Sequence, residues 1–334
     1  MQMLKLLKKP VVAVLVAFFA AATVMLGIWV WQRLPRPLTV AAGQLPEELV
    51  YARSRDDVVS AGTLFSPEKA NKAVAVIWVH GWGTNFYSPT YTNIGRALAA
   101  GGLATFIVNT RMHDLGNNAT RRNGRRVRGG GYWGIQTEQD LDIAAWIDLA
   151  ERLGYHRVVL AGHSAGWSAV SWYQARTQDG RVAGLISASG TVRPQRLPDQ
   201  PKELAEARRL VAAGAADELI RLPNRDFPSY ISAGTLFDQA DTPPQLLDFF
   251  GVERSDGGVT KLNCPLLAFY GTNDDVGDDA DLEIVKSAPT RLSLPDLKIE
   301  TAMIKGADHM YTGEEIQVAE LIRAWVQSWS STTK

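Results

Sequence analysis

Gly162-His163-Ser164-Ala165-Gly166 is the stretch on which the fold turns. The residues just before it, Val158 to Ala161, are apolar and suit a fully buried strand. The residues after it, Ala165 to Thr177, are rich in small and apolar side chains and suit a helix. A serine between such a strand and such a helix sits on a turn tight enough to strain its backbone. Flanking glycines let strand and helix approach without a Cβ clash. The turn lifts the hydroxyl above the sheet at a helix N-terminus. A bare G-x-S-x-G arises by chance fairly often, whereas one framed in this way is specific.

Working outward, Ala73 to Val79 and Leu103 to Val108 are continuous apolar strands with a helical stretch, Asn93 to Ala100, between them. Strand, helix, strand predicts a parallel sheet. Gln136 to Leu153 presents Leu141, Ala144, Ala145, Ile147 and Leu149 on a broad apolar face and reads as the next crossover helix, leading into a central strand, Arg157 to Ala161. Val182 to Ser187, Pro265 to Tyr270 and Ile299 to Ile304 supply three more strands, and Glu314 to Trp329 a closing amphipathic helix. Upstream, Leu49 to Arg53 and Val58 to Phe65 flank the polar Ser54 to Asp57 as an antiparallel hairpin. The alternation breaks once, over Thr191 to Leu262. That length reads as a cap across the carboxyl edge of the sheet, with helical runs Lys202 to Val211 and Ala215 to Leu222. No internal repeat is present.

A serine hydroxyl is a weak nucleophile at neutral pH, so an imidazole must take its proton and a carboxylate must orient that imidazole. Five histidines are available. His80 and His163 flank tight turns and read as local packing groups, His156 precedes a strand at the far edge, and His113 is a candidate substrate contact. His309, in Gly306-Ala307-Asp308-His309 after the strand Ile299 to Ile304, is the candidate base. Asp274, in Gly271-Thr272-Asn273-Asp274, follows the strand Pro265 to Tyr270. Its rivals are Asp275 next door and Asp278, Asp279, Asp281 and Glu283, which read as a solvated loop without EF-hand spacing.

Elbow, acid turn, late histidine and the His80-Gly81-Trp82-Gly83 loop, in that arrangement over Leu49 to Trp329, resemble the serine α/β-hydrolase superfamily. The resemblance implies an α/β-hydrolase fold: a mostly parallel central sheet, helices on both faces and a helical cap insertion. It implies the chain order Ser164, Asp274, His309 for the catalytic residues, with Asp274 favoured by its offset of three from Gly271. It also implies an oxyanion hole from the backbone N–H groups of Trp82 and Ala165. The loop departs from the H-G-G-G pattern of the hormone-sensitive-lipase group, and Ser164 excludes an aspartate nucleophile. No metal and no organic cofactor is expected.

Composition sets the rest. With 46% hydrophobic and 21% charged residues, the 334-residue chain is globular. Lys plus Arg equals Asp plus Glu at 35 each, so no net field recruits nucleic acid. The lone Cys264 cannot form an internal disulfide and reads as a small core residue. Lys5, Lys8 and Lys9 precede an uninterrupted apolar run from Val11 to Trp31, which as a helix spans roughly 30 Å, the thickness of a bilayer core. Arg33, Pro35, Arg36 and Pro37 end it. Residues 1–36 are therefore expected to be a retained single-pass membrane anchor and linker. Residues 37–334 are expected to form the catalytic domain, on the outer face by the lysine excess before the span. Arg121, Arg122, Arg125, Arg126 and Arg128 crowd a loop near the carboxyl edge. They read either as a dock for an anionic substrate or headgroup, or as a solvated loop pairing with Asp278 and Asp279. The function expected is membrane-anchored hydrolysis of a small-molecule carboxylic ester. Amide or thioester cleavage and a non-catalytic binding protein on the same scaffold are the alternatives. The sequence sets no oligomeric state.

Overall fold

The computed structural model describes residues 46–69, 72–120, 126–195, 201–223 and 229–330, with Thr23 and Met25 before them. The chain divides into two units, Met1–Leu38 and Thr39–Lys334. Among the described residues no helix is long and apolar enough to cross a membrane. Apart from Thr23 and Met25, the span expected over Val11 to Trp31 lies outside them.

The strands are β1 Glu47–Arg53, β2 Val59–Phe65, β3 Ala75–Val79, β4 Ala104–Val108, β5 Asn117–Thr120, β6 Arg126–Gly129, β7 Val158–His163, β8 Val182–Ala188, β9 Leu219–Arg221, β10 Tyr230–Ser232, β11 Leu266–Gly271 and β12 Ile299–Ile304. The helices are α1 Pro89–Ala100, α2 Gln139–Arg152, α3 Gly166–Thr177, α4 Pro201–Ala212, α5 Ala233–Asp241, α6 Pro244–Leu247, α7 Asp279–Arg291 and α8 Glu315–Ser330. The main sheet has eight strands in the order β1-β2-β4-β3-β7-β8-β11-β12. β1 and β2 enter antiparallel, and the other six run parallel.

Every residue of β3, β4, β7 and β8 is buried, as expected of strands covered on both faces. Strand parity sorts them into two cores. Ala75, Ile77, Val79, Val158 and Leu160 pack with Ile143 and Trp146 of α2 and Trp167 and Val170 of α3. Val76, Trp78, Val159 and Ala161 pack with Ile94 and Leu98 of α1 and Val318, Ile322 and Trp325 of α8. The hairpin at the antiparallel edge turns through Ser54 to Asp57, with Asp57 in the left-handed region (φ 66°) and its N–H on Ser54 O. Cys264 is buried, and burial pushes its thiol up to about 12, so it is inert at neutral pH.

Three local expectations differ from the structure. Lys202 to Val211 is helical as expected (α4), but Ala215 to Leu222 is not. Gly214 ends α4 at φ 75°, and Leu219–Arg221 pairs antiparallel with Tyr230–Ser232. Ile220 and Leu222 point inward between exposed Leu219 and Arg221, a period of two that suits a strand. They share a small core with Ala207, Ile231, Ala233 and Leu236. The acids after Asp274 are exposed as expected, Asp281 excepted, but from Asp278 on they open a helix and not a loop. Asp278 and Asp281 form a reciprocal capping box that opens α7, with Asp279 and Asp281 in its first turn, where the helix dipole favours negative charge. Of the arginine-rich segment, Arg126 and Arg128 lie not in a loop but on β6, which pairs antiparallel with β5. Arg128 stacks over the Trp133 ring at 5.4 Å and Asp278 is engaged in capping. Arg121, Arg122 and Arg125 lie outside the described residues.

Arg111, after β4, was not singled out from sequence. Its side chain is 3% exposed and pairs with Asp142 (0% exposed) and Asp56 at 3.0 and 3.1 Å, and with Glu138. This cluster locks the β1–β2 turn, the start of α2 and the segment after β4 together.

Candidate active site

Ser164 stands at the turn from β7 to α3 with φ 52°, a left-handed conformation unusual for a residue with a Cβ. Its N–H donates to Ala188 O at 2.9 Å, fixing the turn to the end of β8. The glycines on either side are sterically required. A Cβ on Gly162 would lie 2.3 Å from Gly166 O, and one on Gly166 would lie 2.5 Å from His80 O. The same packing brings the loop after β3 to the serine, since a Cβ built on Gly81 falls 3.1 Å from Ser164 Cβ.

Asp274 and His309 meet at the ends of β11 and β12. His309 Nδ1 lies 3.0 Å from Asp274 Oδ1, the carboxylate is fully buried and the imidazole is 24% exposed. Burial by itself raises the Asp274 carboxyl. Hydrogen bonds from His309, Ser189 and the Val276 N–H outweigh it and hold the acid below its ordinary value. Ser189 Oγ donates to Asp274 Oδ2 and accepts from the Tyr311 hydroxyl at 2.5 Å. Ser189 and Tyr311, both buried and both at positive φ, were missed from sequence, because no local pattern marks a residue that meets its partner across 85 or 122 positions. Ser164 Oγ makes no hydrogen bond among the described residues. The imidazole with its Nδ1–H on Asp274 keeps Nε2 available for the serine, a contact that often closes only with substrate bound.

His163 ties these loops together. Its Nε2–H donates to the backbone carbonyl of His309 at 2.8 Å, its Nδ1 accepts from the Tyr91 hydroxyl at 2.7 Å, and Tyr91 accepts the Gly81 N–H at 3.1 Å. His80 is likewise engaged on both nitrogens, Nδ1 with Gly81 O at 2.8 Å and Nε2 with the Thr110 N–H at 3.2 Å. Both rings are therefore local structural groups. Burial lowers His80 to about 4. Burial, with repulsion from His309, lowers His163 to about 3. His113 pairs with Asp114 at 2.8 Å, which Asn85 also contacts.

These values set a pH dependence of stability. In the unfolded chain both histidines take up protons near 6.5, whereas in the fold they resist until about 4 and about 3. Proton uptake therefore favours the unfolded state. The stability they contribute is complete above about pH 6.5 and is lost as pH falls below it. The thermal midpoint should drop by several degrees between pH 7.5 and pH 5, and the drop should shrink in His163→Gln. A midpoint constant across that range would contradict the assignment of two neutral buried rings.

The candidate oxyanion donors border a cleft of ≈ 10 Å³ lined by His80, Gly81, Trp82, Met112, Gln136, Gln139, Ala165 and Gly166. Ala165 is the N-cap residue of α3, and the chain supplies its N–H with no partner inside that helix. The Trp82 ring is held by Nε1–H donation to Gly131 O at 3.1 Å and by an edge contact with Tyr132. It lines the cleft, and the Tyr132 that it touches accepts the Ser232 N–H of the insertion at its carbonyl. Among the described residues, Asp274, Asp275 and His309 bring possible ligand atoms within 4.8 Å of one another. Two of these groups already satisfy each other.

A model of the alpha/beta hydrolase family matches residues 76–321. Among solved structures, Est1E from Butyrivibrio proteoclasticus with ferulic acid bound is 17% identical, with a TM-score of 0.57 over 84% of this chain and 99% of that one. A highly thermostable carboxyl esterase from Bacillus coagulans, in complex with glycerol, is also 17% identical, with a TM-score of 0.59 over 84% and 98%. At that identity the likeness is one of fold. A comparison with curated protein sequences finds no match.

Proposed function

The chain belongs to the alpha/beta hydrolase family, and from that premise we propose that it is a serine hydrolase that cleaves a carboxylic ester through an acyl-enzyme. The observation that carries the reading is the Asp274–His309 hydrogen bond at the sheet edge where the strained Ser164 turn also stands. His309 takes the Ser164 proton at Nε2 while Asp274 holds the ring, and Ser164 Oγ attacks the carbonyl carbon. The N–H groups of Trp82 and Ala165 receive the developing oxyanion. The intermediate collapses with the alcohol leaving, protonated by His309. Water, activated by the same imidazole, then releases the acid and regenerates the serine.

A fluorophosphonate probe tests this directly, because only an activated serine reacts with it. Labelling of the native chain, absent from Ser164→Ala, is expected, together with turnover of p-nitrophenyl esters. A folded chain that stays unlabelled would be a binding protein on a hydrolase scaffold. Parallel ester, thioester and amide substrates assign the bond cleaved.

The N-terminal run Val11 to Trp31 supports a membrane-anchored enzyme with its catalytic unit on the outer face, from the three lysines before the run against Arg33 and Arg36 after it. The full chain is expected to stay with membranes through alkaline carbonate extraction and to be digested by protease added outside. Release by carbonate would remove the anchor.

A further inference from the structure

Gln136, just before α2, lines the cleft bordered by Trp82 and Ala165. Its Nε2 is buried with no hydrogen-bond partner among the described residues. Buried amide donors are ordinarily paired, and leaving one unmade is costly. The neighbours do not satisfy it. Both His80 nitrogens are engaged, Gln139 Oε1 accepts from Thr110 at 2.7 Å, and Met112 is apolar. The space left is ≈ 10 Å³, about the volume that admits one water-sized group. Gln136, with its unpaired amide nitrogen, and Ala165, at the start of α3 where the helix dipole adds positive potential, both line it. An unpaired amide donor and a helix N-terminus lining a one-atom space suit a single electron-rich oxygen.

We propose that Gln136 is a catalytic residue whose Nε2–H donates to the substrate oxyanion, as a third donor beside the backbone N–H groups of Trp82 and Ala165. This rests on the esterase reading above. The donor is held in place from outside the sheet. Asp238 of α5 accepts from the Thr137 N–H at 3.2 Å and from the Thr137 hydroxyl, and the Gln136 carbonyl accepts from the Gln139 N–H at 3.3 Å. The insertion thus braces the turn that carries the donor, which gives it a part in transition-state stabilisation.

The test compares Gln136→Leu, which keeps the bulk and loses the donor, with Gln136→Glu, which replaces the donor by a negative oxygen. For p-nitrophenyl acetate and butyrate, kcat should fall by roughly 10²-fold in the leucine variant and further in the glutamate variant, with KM within about threefold. Affinity for a trifluoromethyl ketone, whose adduct carries the same oxyanion, should fall by the factor lost from kcat/KM. Leucine-variant turnover within twofold of native, or a loss confined to KM and graded with acyl length, would overturn the proposal and make Gln136 an acyl contact. If the leucine variant fails to fold, the glutamate variant decides: a kcat within twofold of native overturns the proposal. Fluorophosphonate labelling of the native chain separates the two levels. Labelling with an unaffected Gln136→Leu sinks only this proposal, whereas no labelling sinks the esterase reading and this one with it.

Discussion

Ser164→Ala should lower kcat for ester hydrolysis by roughly 10⁶-fold, and His309→Ala by a similar factor, while the double variant is little worse than either. In the proposed mechanism serine and imidazole act as one unit, so once the nucleophile is gone the base has nothing to deprotonate. The residue of catalysis left in all three variants would come from the oxyanion donors and binding alone. The Asp274–His309 bond is already formed at 3.0 Å and the serine turn is pinned to β8 through Ala188, and the proposed mechanism requires one further contact, Nε2 to Oγ. Steady-state kinetics on the three variants, with circular dichroism to establish the fold, checks this. A single alanine variant within tenfold of native would dismiss Ser164 or His309 from the chemistry.

Arg111→Ala should destabilise the protein by about 3–5 kcal/mol, the penalty for removing one partner of a buried ion pair. The guanidinium is 3% exposed and reaches Asp142, itself 0% exposed, through two nitrogens at 3.0 Å. It also bridges to Asp56 in the β1–β2 turn and to Glu138 at the start of α2. Burial works against the Arg111 charge, and Asp142 and Asp56 more than offset it. Alanine would leave the Asp142 carboxylate without a counter-charge in the interior. Lysine is a poor substitute, because a point charge cannot replace a planar fork that serves three acids. Adding Asp142→Asn to Arg111→Met should recover a large part of the loss. Urea midpoints of the four chains decide the matter, and an Arg111→Ala midpoint equal to native would show that the cluster contributes no net stability.

Much of the architecture was legible because it is written in local periodicity. The unbroken apolar runs Ala73 to Val79 and Val158 to Ala161 suit strands covered on both faces, and a G-x-S-x-G at the end of one has few structural readings. Ala215 to Leu222 misled because the alanines favour a helix, whereas the alternation of Ile220 and Leu222 against Leu219 and Arg221 is satisfied only when Tyr230–Ser232 arrives as a partner. The acids from Asp278 to Glu283 misled in the opposite direction. Their number suggested a loop, and most of them are exposed, but the spacing of Asp278 and Asp281 is that of a capping box that opens a helix.

The sequence by itself determined the alternation of the sheet, the strained serine turn and the positions at strand ends from which an acid and a base could be drawn. Each of these depends on neighbours within a few residues. Only the tertiary structure decided that Ser189 donates to Asp274 and is itself bound by Tyr311, that His163 binds the backbone of His309, and that Arg111 gathers three acids. Those contacts join residues from 27 to 146 positions apart, and a hydrogen bond formed across that separation leaves no periodic trace in the chain that makes it.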